Sequence, residues 1–180
     1  MKKTFLLIGI LLSLITLDAS AQINDGRWFG GAGVGFNMGF DGQKFIDRDY
    51  SHMGAGLAVD VYFGKFFSER LGFRAGYHGL NSSNHFTIFG HDKFHYAHAD
   101  FLVALGEVFV PYVHAGAVFM DRVSPAGGLG FMLPIKLSSR VFFTPDFKAT
   151  FLSANAFADG SKKLGTNLSA TLGVTVLIGK

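Results

Sequence analysis

From Leu164 onward the chain alternates between two kinds of side chain. The even positions are Leu164, Thr166, Leu168, Ala170, Leu172, Val174, Val176 and Ile178. The odd positions are Gly165, Asn167, Ser169, Thr171, Gly173, Thr175, Leu177 and Gly179. Successive side chains of a β-strand point to opposite faces, so this stretch predicts a strand with one apolar and one mostly small, polar face. The same period of two recurs upstream in seven segments: Trp28 to Met38, Ala55 to Phe63, Leu71 to His78, Tyr96 to Leu105, Phe109 to Phe119, Gly128 to Leu137 and Val141 to Phe151. One parity of each is apolar and uncharged, as in Val34, Phe36 and Met38. The other parity carries Asp60, Arg74, Asp100, Lys136, Asp146 and Lys148 among glycines, tyrosines and histidines.

A strand of about 10 residues crosses a bilayer at a tilt. Eight strands close into a narrow barrel whose interior is filled by side chains. The apolar face is too large to leave in water, and the charges are too many for an unpaired dry core. The expected fold is therefore all-β: an eight-stranded antiparallel up-and-down transmembrane β-barrel, apolar toward lipid and polar toward its lumen. The connections agree. Asp41 to His52, Asn81 to Lys93 and Ser153 to Lys162 are long; Gly64 to Arg70, Gly106-Glu107 and Ser138 to Arg140 are short; Asp121 to Ala126 is intermediate. Short turns belong in the periplasm and long loops outside the cell, which puts both termini in the periplasm. Pro111, Pro134 and Pro145 each remove a ladder donor, so bulges or strand ends are expected near the inner rim.

The N-terminus adds a destination. Lys2-Lys3 precede the apolar run Phe5 to Leu17, and Ala19-Ser20-Ala21 follows. This is the pattern of a signal peptide, expected over residues 1–21, with the barrel as residues 22–180. There is no cysteine, which excludes disulfides and a lipoprotein anchor. The formal net charge of +3 is unlike the clustered basic face of a nucleic-acid binder.

The glycine-rich Trp28-Phe29-Gly30-Gly31-Ala32-Gly33-Val34-Gly35-Phe36, the segment Leu71 to Tyr77 and the closing Leu172 to Ile178 give the chain a family resemblance. It resembles the small OmpA/OmpX-like outer-membrane barrels, in particular the Bacteroidetes-type outer membrane protein beta-barrel domain, porin-family or PorT-like. The resemblance implies residence in the outer membrane of a Gram-negative bacterium, as a monomer. Its partners would be outer-membrane lipid and the barrel insertion machinery, with no nucleic acid and an unidentified envelope or extracellular partner.

Candidate chemistry lies mainly in the lumen. A turn centred on Phe67 would set Asp60 across from Arg74, a pairing that a low dielectric makes strong. A turn near Gly106 would set His98 opposite His114 and Asp100 opposite Tyr112, with His78 on the neighbouring strand. Imidazole beside carboxylate suits acid–base chemistry or a metal, and equally a buried hydrogen-bond network. Asp60, Arg74, His78, His98, Asp100, His114, Asp146 and Lys148 are read as that structural network, with no catalytic, cofactor or metal role. The histidines from His85 to His95 share only spacing with H-E-x-x-H. Lipid-modifying barrel enzymes pair His-x-Ser with a carboxylate on the lipid-facing wall, and no His-x-Ser occurs here. Open aqueous channels need 16 or more strands, although the lumen glycines could leave a water pocket. The expected function is a non-enzymatic structural or surface-interaction role through the long loops, where Phe45, Ile46, Tyr50, His85, Phe86 and Phe157 offer contacts. The alternatives are a lipid-modifying enzyme and a narrow small-solute channel.

Overall fold

The alternating segments form strands because each can bury one parity and leave the other to lipid. The computed structural model describes residues 26–41, 53–81, 93–119, 123–153 and 165–179. The strands are β1 (Trp28–Asp41), β2 (Met53–Phe66), β3 (Leu71–Asn81), β4 (Lys93–Val103), β5 (Val110–Phe119), β6 (Val123–Met132), β7 (Ile135–Lys136), β8 (Val141–Leu152) and β9 (Gly165–Ile178). Neighbours pair antiparallel in chain order, β6 pairs with β8, and β9 returns to β1, so the sheet closes on itself. The expected signal peptide and the contact residues proposed for the long loops lie outside the described residues.

β6 and β7 are one strand in two pieces. Met132 faces Asp146 and Ile135 faces Phe143, three residues further along each chain, so the register does not shift. The gap lies where Leu133 faces Pro145, which has no N–H to return a bond to the Leu133 carbonyl. Leu133 still donates to the Pro145 carbonyl at 2.8 Å. A strand end thus stands beside Pro134, as expected, and without a bulge. Pro111 sits at the second position of β5, paired with Phe131. One boundary differs from expectation. Residues 123–126, read as loop, open β6; Ser124 is buried and Pro125 pairs with Ala117. Cross-strand pairing overrides the turn-like composition of this stretch.

The outward parity is the one expected. Val34, Phe36, Leu129 and Leu172 are all more than half exposed. Such a belt is tolerable only against hydrocarbon, so the barrel is a transmembrane one. At the short-turn rim Trp28 stacks on Phe63 at 4.9 Å and meets Phe73 edge-on at 5.9 Å. The Lys65 ammonium lies 5.4 Å from the Trp28 ring centroid. This is an aromatic girdle with a snorkelling lysine.

Three of the lumen glycines make room for side chains. A Cβ on Gly31 would come within 2.5 Å of the Tyr62 ring, one on Gly130 equally close to the Tyr112 ring, and one on Gly76 within 2.8 Å of the His98 ring.

Placing a cation on the central belt checks the orientation of the two faces. Val34→Arg is expected to lower the unfolding free energy by about 2–4 kcal/mol in equilibrium unfolding from lipid vesicles. Lys65→Arg at the rim is expected to change it by less than about 1 kcal/mol.

Candidate functional site

The inward parity builds the interior in four levels. Toward the short turns, Phe29, Phe66, Leu102, Val110, Met132 and Phe142 are buried together as an apolar plug. Apart from Leu177, which joins them, these large apolar residues lie beyond the polar and small stretches from which the inward face is read in the sequence. The signal of the plug is the continuation of each inward parity to the turn, where large apolar residues replace glycine and polar side chains.

Above the plug sits Arg74, fully buried. Its Nε donates to Asp100 Oδ2 at 2.5 Å, and its Nη1 to Asp146 Oδ2 at 2.7 Å. The guanidinium lies between the Tyr62 and Tyr112 rings, 4.8 and 4.6 Å from their centroids. Tyr112 also donates its hydroxyl to Asp146. Tyr62 hydrogen-bonds Thr175 at 2.6 Å, and Thr175 bonds Thr144 at 2.7 Å. Arg74 on β3 thereby ties β4 to β8 across the barrel, held by charge on two sides and by π-faces on the other two.

Lys148 crosses the lumen one level higher. Its ammonium is 3.3 Å from both Asp60 carboxylate oxygens and donates to His98 Nε2 at 3.3 Å. His98 Nε2 is therefore an acceptor, and its Nδ1–H donates to Asp100 Oδ1 at 2.5 Å. His98 links the two charge centres. His78 Nδ1 lies 2.9 Å from Asp60 Oδ1. His114 stands to the side: Nε2–H donates to the Ala149 carbonyl at 3.1 Å, leaving Nδ1 to accept from the Tyr96 hydroxyl at 2.7 Å. Above these residues Ala58, Tyr96, Val118 and Leu152 form a second apolar cluster, and Asn37 donates to Asn167 at 3.3 Å.

All eight residues singled out in the lumen are buried there, with two corrections of partner. Asp60 does not face Arg74; the register sets Asp60 opposite His78, and Gly64 opposite Arg74. Likewise Asp100, not His98, faces His114, while His98 faces Gly116 and Tyr112 faces Leu102. Both turns centre further along than composition suggested. At the first, Phe67 and Ser68 N–H both bond the Leu71 carbonyl, and the Ser68 hydroxyl accepts from Leu71 N at 2.9 Å. At the second, Leu105 bridges to Phe109 around Gly106 at φ 81°. Lys136 keeps inward parity opposite Phe142 but is exposed at the rim.

No group of three or more His, Asp or Glu side chains among the described residues is arranged to hold a metal ion. Where Asp60 and His98 converge, the Lys148 ammonium already occupies the space between them. A polar pair does sit on the outer wall: the Tyr77 hydroxyl bonds His95 Nδ1 near the long-connection end of β3 and β4. No carboxylate shares the outward parity of the described strands.

No family model and no curated protein sequence matches the chain. Solved structures do match. Neisserial surface protein A aligns with a TM-score of 0.60 at 10% identity, covering 84% of this chain and 97% of that one. Ail, the attachment invasion locus protein of Yersinia pestis, aligns with a TM-score of 0.52 at 9% identity, covering 85% and 99%. The fold is that of the small outer-membrane β-barrels. At such identity the likeness concerns architecture alone. The exposed apolar belt fits the membrane setting of that fold.

The lumen geometry sets a definite mutational pattern. Arg74→Met leaves two carboxylates without their cation and is expected to cost about 3–5 kcal/mol of unfolding free energy. Adding Asp100→Asn and Asp146→Asn should recover part of that loss, because the groups act as one unit. Exchanging Asp60 and Arg74 should give no recovery. Unfolding of the single, combined and exchanged variants in vesicles distinguishes this wiring from a direct Asp60–Arg74 pair.

Proposed function

We propose that the protein is a non-enzymatic outer-membrane barrel that acts at the cell surface through the segments joining its strands at the long-connection end, residues 42–52, 82–92 and 154–164. The observation that carries this reading is the filled lumen. An apolar plug, a charge network and a second apolar cluster follow one another along the barrel axis, with the charges tied to one another. A solute path would have to break buried ion pairs in a low dielectric. A lipid-modifying enzyme is the weaker reading, since Tyr77 and His95 have no outward carboxylate beside them among the described strand residues.

A sealed barrel of this kind is a stiff support, and function then falls to what it displays. The resemblance to Bacteroidetes-type barrel domains belongs to this proposal, as do a monomeric state, the surrounding lipid and insertion machinery as partners, and a structural role for the lumen network. Among the similar structures, one holds Ail in complex with the heparin analogue sucrose octasulfate.

Two measurements test the proposal. In planar bilayers the protein should show no unitary conductance, and Phe142→Ala should show none either because the Arg74 and Lys148 layers stay in place. On whole cells, replacing residues 42–52, 82–92 and 154–164 by short turns should preserve a heat-modifiable folded barrel and abolish the surface or envelope phenotype of a deletion strain. A steady conductance, or full function without those segments, overturns it.

A further inference from the structure

The outer wall is not evenly filled. Where β1, β9, β8 and β6 lie side by side, a crease of about 430 Å³ opens toward the bilayer, within the size range of small-molecule sites. Its shape follows from the register. One outward row runs Phe36, Ala170, Phe147, Phe131 across the four strands. The next row toward the long connections runs Met38, Leu168, Ala149, Leu129. Ala170 thus lies low between Phe36 and Phe147, and Ala149 lies low between Leu168 and Leu129. The floor crosses diagonally from β9 to β8. On one side Phe131 and Phe147 stack at 4.9 Å into a firm shoulder. On the other, Phe36 projects with 65% of its surface exposed.

We propose that this crease seats one hydrocarbon chain of an outer-leaflet lipid. It is continuous with the apolar belt that already faces the membrane, and it lies in the half of the barrel nearer the long connections. Its width selects the occupant. Two strand spacings separate the stems of Phe36 and Phe147, roughly 9–10 Å, and the rings narrow that gap further. A single acyl chain fits, whereas a helix is about 10–12 Å across and the wall of a second barrel is broader still. Inside a bilayer no hydrophobic driving force favours one apolar neighbour over another, so retention depends on contact. A chain in the crease touches protein on three sides, and one on the convex wall touches it on one; many small dispersion contacts then add up.

The test uses the full protein reconstituted in nanodiscs with a phospholipid spin-labelled midway along its chain. Electron paramagnetic resonance separates motionally restricted chains from fluid ones. Wild type is expected to hold one more restricted chain per barrel than Ala149→Phe/Ala170→Phe, in which the floor is filled. Ala99→Phe, outward on β4 and remote from the crease, should match wild type. If the filled variant does not fold, Ala170→Val alone should give an intermediate restricted fraction. Equal restricted fractions in wild type and the filled variants overturn the proposal. So does efficient crosslinking between two copies of Leu168→Cys, which would show a second barrel on the crease.

Discussion

A guanidinium buried in the middle of a closed barrel must be neutralised by its surroundings, and most of this interior is arranged around that requirement. Arg74 has no exposed surface, so two carboxylates, Asp100 and Asp146, reach it from different walls, and two tyrosine rings cover its faces. Those carboxylates recruit further partners in turn. Asp100 takes the His98 N–H, His98 accepts from Lys148, and Lys148 holds Asp60. The network therefore spans β2, β3, β4 and β8, which are not all neighbours in the sheet. It fixes the cross-section of the barrel in a way that backbone ladders, which act only between adjacent strands, do not.

Parity was legible in the sequence and register was not. A side chain's face depends only on whether its position is odd or even, so every lumen residue singled out was placed on the correct side. Its partner depends on where the turn is centred, and displacing the turns moved the pairings by four residues at the first and by two at the second. A shift of two preserves faces and changes every neighbour, whereas a shift of one would invert the faces and expose the charges to lipid. Sequence patterning thus reads the faces of a membrane barrel strongly and its ion pairs weakly. The turn chemistry that settles the pairs, a Ser68 hydroxyl capping Leu71 and a positive φ at Gly106, is too local to dominate a pattern read over ten residues.

The plug shows a second limit of the pattern. Phe29, Phe66 and Phe142 are as apolar as any lipid-facing residue, and only their parity marks them as internal. Hydrophobicity alone would place them outside. The same ambiguity runs the other way at Tyr77 and His95, polar by type and outward by position. Near the short turns and the long connections the simple opposition of apolar exterior and polar lumen gives way, because each end of the barrel faces both protein and interface.

The gap at Leu133 and Pro134 gives the wall a seam. The β4–β5 ladder is broken in the same way at Pro111, before the isolated Leu105–Phe109 bridge, but below the gap at Leu133 only the two-residue β7 and the turn at residues 137–140 hold that strand to β8. A cylinder without edges has no natural place to begin opening. Here force applied along the wall concentrates where a proline has removed a rung, so the barrel should part along this line while Arg74 still clamps the level above.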